Sequence, residues 1–444
     1  MNKIMKYQII KPMDADWQIF GQVLNDLKYD TRQVFNKSIQ LCWEYQGFSA
    51  DYKKEHGVYP KTEDILNYKT VMGYAYDSLK HDYNKFNSGN YTATVKKACD
   101  KWKSDLKEVS MGDKNPPTYK KDCPVDLHNK SLALINEDGN YYFNLSLISN
   151  KYKKEIERKS GQFMVLVKVG DNNQKSILNK VLSGEYKISA SQIIKKGSKW
   201  FVYLSYSFTP SKKQLDSNRI LGVDLGITNA ATLQIWDCTK EKWDRLGWRN
   251  CILDGRELIH FRQKFQQRKR ALQSSLKING ITNKETKGKK GRGRNTLLKP
   301  LDKLSEKESN FRDTMNHKYS KYIVDFAIRN NCGVIQMEDL KGFTAKAKES
   351  FLKSWTYFDL QSKIEYKAQE NGIEVIKVKP NYTSKRCSHC GCIDDENRDC
   401  KNNQAKFKCV ICGHEENADI NAAKNIALPN IENIITDQLE VMKK

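Results

Sequence analysis

The sequence predicts a multidomain α+β protein, and three observations carry that prediction. Apolar residues recur at helical spacing through the first quarter of the chain, which ends near Pro116-Pro117. Paired alternating stretches follow, separated by turn dipeptides, as antiparallel strands require. The second half alternates strands with helices, and two of its apolar strands end in acidic residues. A length of 444 residues leaves room for roughly three domains of ~150 residues each.

The elements follow in chain order. Residues 4–10 read as a short strand. From about residue 16 to 43, Ile19, Val23, Leu24, Leu27, Val34, Ile39 and Leu41 recur at helical spacing, and helices continue to Val109 with loops near 57–60 and 87–90. Residues 132–135 and 141–147 flank Asp138-Gly139, a strong hairpin signal. Residues 163–169 alternate, and 186–194 with 200–208 form a second hairpin around Gly197-Ser198. A small β-barrel is the expected product, with the first strand joining it and the helical block as an insertion. After a linker at 210–219, a strand at 220–225 turns at Gly226 into its partner at 230–236. A basic helix at 257–276, a helix at 303–330, a strand running from Gly333 to Glu338, a helix at 356–371 and a strand at 373–378 follow. The last helix is expected at 417–426.

Lys and Arg number 77 against 53 Asp and Glu, a formal charge of +24 that points to a polyanionic partner. The 22 Tyr, 16 Phe and 8 Trp residues add faces on which bases stack. Lys287, Lys289, Lys290, Arg292 and Arg294 fall in a stretch at 284–299 interleaved with Gly288, Gly291 and Gly293. That stretch is too glycine-rich and self-repelling to pack, so it is expected to be a flexible arm along a nucleic-acid backbone. No run of ~18 uncharged apolar residues predicts a membrane span, and the N-terminus lacks the apolar stretch of a secretory signal. Cys42, Cys99, Cys123, Cys238, Cys251 and Cys332 are scattered, as reduced core thiols are, which places the chain in a reducing cytoplasm.

The remaining cysteines cluster. Cys387 and Cys390 form one Cys-x-x-Cys knuckle and Cys409 and Cys412 another, with 18 residues between the pairs. Each knuckle presents two thiolates from one turn, and two knuckles close a tetrahedron around structural Zn²⁺. His389 and His414 offer substitute ligands, while Cys392 and Cys400 are surplus.

Asp224 and Glu338 each terminate an apolar strand, and Asp419 follows Cys412 by seven residues. Singly, such acids are most often turn residues, caps or solvated charges. Together, in a hairpin, helix, strand, helix, strand order, they match the way an RNase H-like sheet assembles a two-metal site. Phosphodiester hydrolysis needs an activated water and a stabilised leaving oxyanion, and carboxylates hold the hard divalent ions that supply both. Asp339 follows Glu338 directly, so strand alternation sends it to the opposite face.

At these residues the chain resembles a known family. Gly222-Val223-Asp224-Leu225-Gly226, Gln336-Met337-Glu338-Asp339-Leu340 and Asn417-Ala418-Asp419-Ile420-Asn421-Ala422-Ala423-Lys424-Asn425-Ile426 resemble the three RuvC motifs of type V CRISPR nucleases and of their transposon-encoded TnpB relatives. Tyr382-Thr383-Ser384-Lys385-Arg386-Cys387 fits the same group. Ile9-Ile10-Lys11-Pro12, Trp17, Phe20-Gly21, Gly47-Phe48-Ser49 and Ser189-Ala190-Ser191-Gln192-Ile193-Ile194 are similar to the miniature type V-F effectors. The resemblance implies a wedge β-barrel at 1–15 and 118–210, a helical recognition domain inserted at 16–117, and a RuvC nuclease domain at 211–382 and 416–444. A target-nucleic-acid-binding zinc ribbon at 383–415 interrupts the nuclease domain. It further implies a guide RNA, a T-rich flanking motif, and cutting of both strands of target double-stranded DNA. Asp224, Glu338 and Asp419 would bind Mg²⁺ (or Mn²⁺), and a homodimer would form on one guide RNA in a prokaryotic cytoplasm. The alternatives are a TnpB-like nuclease guided by transposon RNA, a nuclease-dead RNA-guided binder, and a guide-free junction resolvase, whose core is far shorter than this chain.

Overall fold

The computed structural model describes residues 1–210, 213–226, 228–278, 292–340, 357–398 and 405–442. The chain divides into two compact units, Met1–Thr209 and Pro210–Lys444.

The first unit is built on an eight-stranded antiparallel sheet whose central strand is its first. Strand β1 (Asn2–Pro12) is followed by helices α1 (Trp17–His56), α2 (Thr62–Leu66), α3 (Val71–Leu79) and α4 (Ser88–Ser110). Then come β2 (Val125–Leu127), β3 (Leu132–Glu137), β4 (Asn140–Ser146), α5 (Asn150–Glu155), β5 (Gln162–Lys168), α6 (Asn172–Leu182), β6 (Lys187–Ile188), β7 (Ser191–Lys196) and β8 (Lys199–Ser207). The order is β2-β7-β8-β1-β5-β4-β3, with β6 on β8. The first strand therefore joins the later ones, as expected, and both anticipated hairpins are present. Helix α1 runs from an Asp16 cap, whose Oδ1 accepts the Ile19 amide at 2.7 Å, to Gly57, where the loop near 57–60 was expected. Its Phe20, Val23, Leu24 and Leu27 share one core with Phe143, Leu145, Phe163 and Val165 of the sheet. The Phe20 and Phe163 rings lie 5.3 Å apart. Helix α6 was not anticipated; only Ile177 and Leu178 are buried along it, too few to mark a period.

The second unit holds a six-stranded mixed sheet. Its elements are β9 (Asp216–Asp224), β10 (Asn229–Asp237), β11 (Lys242–Trp243), α7 (Trp248–Cys251), β12 (Ile252–Asp254), α8 (Arg256–Ile278), α9 (Arg292–Arg329) and β13 (Cys332–Glu338). These are followed by α10 (Tyr357–Glu370), β14 (Glu374–Val378), β15 (Lys406–Lys408), β16 (Glu415–Asn417), α11 (Ala418–Ala427) and α12 (Ile431–Met442). The order is β11-β10-β9-β13-β14, antiparallel at β10–β9 and parallel at β9–β13 and β13–β14. One face carries Leu221, Val223, Ile335 and Met337 into a core with Ile323, Val324 and Phe326 of α9 and Leu360 and Ile364 of α10. Strand alternation leaves Gly222, Asp224, Gln336 and Glu338 to the other face, where α11 packs. The expected arm at 284–299 is corrected in part. Lys287, Lys289 and Lys290 lie outside the described residues, whereas Arg292 and Arg294 open the backbone of α9, which starts 11 residues before the expected 303. Pro300 stands inside that helix, where proline normally stops one.

Candidate active site and cysteine cluster

Register brings the first two acids level. On the parallel strands β9 and β13, Gly222 pairs with Gln336 and Val223 with Met337. The next residues on each strand are Asp224 and Glu338, so both carboxylates leave the same end of the sheet from adjacent strands. Asp419 enters from α11 above that face. Its helix starts at Asn417, whose Oδ1 accepts the amides of Asp419 at 3.0 Å and Ile420 at 3.2 Å. A carboxylate in a first helical turn also meets the positive end of the helix dipole. Asn229 Nδ2 donates to Asp419 Oδ2 at 2.8 Å and ties the helix to β10.

Asp224 feels both of the other acids. Burial, then the charges of Glu338 and Asp419, drive the Asp224 carboxyl well above the ordinary carboxylate range. Burial raises the Glu338 carboxyl as well, against the opposing pull of the Thr383 hydroxyl, which donates to Glu338 Oε1, and of Arg398. Half-buried carboxylates that protonate too readily form a site short of positive charge, the condition that divalent cations relieve. The carboxylates are more widely spread than the thiolates, since among the described residues only the four cysteines gather their ligand atoms within 4.8 Å. A pair of ions about 3.5–4 Å apart needs such a wider span.

Four neighbours of the acids were given no role beside them by the sequence. Arg398, from the segment between the knuckles, holds Nη2 3.8 Å from Asp419 Oδ1, and its buried Nε has no partner among the described residues. Gln361, on α10, donates to the Glu338 carbonyl. Thr383 and Asn229 complete the set. No period marks Arg398 or Thr383. Asn421 and Asn425, by contrast, are polar residues four apart among the alanines of α11, and both are fully buried. That pattern on one helix face was a legible sign of internal hydrogen bonds. Asp339 extends the pairing, its amide donating to the Val378 carbonyl at 2.7 Å.

The cysteines converge as their spacing predicts. Cys387 and Cys412 place their Sγ atoms 3.7 Å apart, and Cys390 and Cys409 3.5 Å. A tetrahedron with Zn–S arms of about 2.3 Å has edges of about 3.8 Å. Each knuckle closes on a glycine in the left-handed region, Gly391 at φ 82° and Gly413 at φ 69°, with its amide bonded back to Cys387 and Cys409. Burial pushes the Cys409 thiol up, but the amides of Cys412 and Ile411 together with the Cys390 and Cys412 thiols bring it down to about 7, ready to bind as thiolate. The histidines stay outside the cluster: the His389 and His414 rings stack at 5.5 Å, and His414 Nε2 lies 3.6 Å from Glu416. Cys392 packs beside Cys387, Phe407 and Cys409 instead of joining the four, and Cys400 lies outside the described residues.

Comparison with known proteins agrees with this geometry. A family model described as the Cas12f1-like TNB domain matches residues 357–426. The CRISPR-associated endodeoxyribonuclease Cas12f1 of Sulfoacidibacillus thermotolerans is 44% identical over 443 residues, covering 99% of this chain and 100% of the relative. Cas12f1 of Syntrophomonas palmitatica is 34% identical over 415 residues, covering 85% of this chain and 80% of that protein. The fold superposes on the cryo-EM structure of a Cas12f1–sgRNA–target DNA complex with a TM-score of 0.73 at 20% identity, covering 97% of this chain and 99% of that one. By full-length similarity to these relatives, the chain belongs to the Cas12f1 family of CRISPR-associated endodeoxyribonucleases.

Proposed function

We propose that this protein binds a guide RNA, recognises a short T-rich flanking motif, pairs the guide with target DNA and cuts both DNA strands at one RuvC site. One observation carries the chemistry: Asp224 and Glu338 end adjacent parallel strands at one level, and Asp419 is charge-coupled to Asp224. The three carboxylates would hold Mg²⁺ or Mn²⁺. Such ions supply an activated water and neutralise the leaving oxyanion. Asn229 orients Asp419, and Arg398 offers guanidinium donors to a scissile phosphate above the acids. The four cysteines would hold structural Zn²⁺ that keeps the ribbon folded beside them.

The finer architecture belongs to the same reading. It comprises a wedge barrel around β1, the helical recognition domain at 16–117, and an RNase H-like nuclease domain interrupted by the ribbon at 383–415. Guide RNA and target DNA would meet the basic surface, including Lys287, Lys289, Lys290, Arg292 and Arg294. Base pairing would carry the sequence specificity while the protein reads the flanking motif and duplex shape. A homodimer on one guide RNA fits a chain with a single small helical block, and a prokaryotic cytoplasm fits the reduced thiols. Among the described residues, no helix is long and apolar enough to cross a membrane. A nuclease-dead binder fits less well, because all three acids are retained and gathered.

The test is cleavage of target plasmid by the guide-loaded variants Asp224→Ala, Glu338→Ala and Asp419→Ala. Each should lose at least roughly 100-fold in rate while guide-RNA affinity stays at the wild-type value. Cutting that survives Asp224→Ala would remove the active-site assignment.

A further inference from the structure

Thr383 stands where the strand end, the last helix and the ribbon meet. It is 1% exposed, and its hydroxyl donates to Oε1 of Glu338. Its carbonyl accepts Nδ2 of Asn425 at 2.9 Å. Asn425 lies on α11, six residues after Asp419, and it also exchanges hydrogen bonds with Arg386, donating to the carbonyl at 2.6 Å and accepting Nη1 at 2.8 Å. One turn earlier Asn421 accepts the Ser388 amide at 2.9 Å and donates to the Arg386 carbonyl at 2.9 Å. The helix that presents Asp419 thus grips the backbone on both sides of Cys387, and that same backbone presents the hydroxyl that holds Glu338.

A carboxylate on a strand end has rotational freedom about its side-chain bonds. A buried donor on one oxygen removes part of that freedom and favours the ionised form. The Gln361 amide fixes the Glu338 carbonyl from the other side. We propose that Thr383 is a positioning residue for Glu338, aiming its second oxygen at a divalent ion shared with Asp224 and Asp419. This rests on the reading that these three acids bind divalent metal. Asn425 transmits the position of α11 to Thr383, so two acids far apart in sequence are oriented by one relay of hydrogen bonds.

The test uses the full-length, guide-loaded protein with Mn²⁺ as the probe, free ion being followed by electron paramagnetic resonance. Thr383→Val keeps the shape and removes the donor, whereas Thr383→Ser keeps the donor. Thr383→Val should weaken Mn²⁺ binding, and raise the Mg²⁺ needed for half-maximal cutting, by roughly 10-fold. Thr383→Ser should restore both, with zinc content and guide-RNA affinity unchanged in either variant. Wild-type Mn²⁺ affinity in Thr383→Val, with or without a lower melting temperature, overturns the proposal. Asp224→Ala measured alongside separates the two levels. If it loses Mn²⁺ and cutting while Thr383→Val does not, the positioning role alone fails. If Asp224→Ala keeps both, the metal reading fails and the positioning role with it.

Discussion

A methyl group placed on Gly222 would sit 2.3 Å from the carbonyl oxygen of Ala423 and 2.6 Å from the Ala427 amide. Strand β9 and helix α11 therefore touch backbone to backbone two residues before Asp224, and only glycine permits that approach. The contact sets how far Asp419 stands above the sheet. Gly222→Ala should lift α11, lower stability by about 1–3 kcal/mol as overpacking does, and cut cleavage more than guide-RNA binding. Thermal unfolding and plasmid cleavage measured together check this; an unchanged cutting rate would show that α11 does not set the acid geometry.

Arg398 brings a cation to a site that otherwise repels phosphate. Arg398→Ala should slow the cutting step roughly 100-fold, in the range seen when one donor to a developing charge is removed. Arg398→Lys should recover only part, since it lacks the planar fork. Single-turnover cleavage with saturating guide RNA and target reads this out, and wild-type rates in Arg398→Ala would restrict the residue to pairing with Asp419.

The thiolate cluster is expected to be a folding element and not a catalytic one. Cys409→Ser should abolish zinc binding, measured by elemental analysis, and open the ribbon to protease. Structural zinc in small domains carries apparent binding energies of about 10–16 kcal/mol, so the loss is not a partial one. Full zinc content in Cys409→Ser would exclude that ligand. Because Cys387 adjoins the backbone gripped by Asn421 and Asn425, cleavage should fall with the ribbon.

Asp30 carries a pH dependence unrelated to catalysis. It is 6% exposed on α1, and burial, opposed by Lys85 and reinforced by Asp26, raises its carboxyl to about 6. A folded-state value above the unfolded one favours the protonated form. Its stabilising contribution is full below the ordinary carboxylate range and is lost as pH rises through about 6. Asp30→Asn should therefore stabilise the first unit by about 1–3 kcal/mol at neutral pH and make little difference near pH 4. Melting curves at both pH values decide it; equal shifts would mean that Asp30 is ionised without cost.

Much of this protein was determined by local pattern. The knuckle spacing named all four clustered thiolates, because two tight turns admit one closure. Apolar strands ending in Asp224 and Glu338, and an acid opening the last helix, marked the carboxylates without any knowledge of where they meet. Hairpin signals at Asp138-Gly139 and Gly197-Ser198 predicted their strand pairs, since turn chemistry acts over a few residues. Tertiary structure alone decided the rest. The parallel register of β9 on β13, which levels Asp224 with Glu338, joins segments more than 100 residues apart. The placing of Arg398 over the acids, and the relay from Asn425 through Thr383 to Glu338, obey no period. They depend on where a loop is held once α11 has closed on Gly222, and a one-dimensional pattern does not encode that distance.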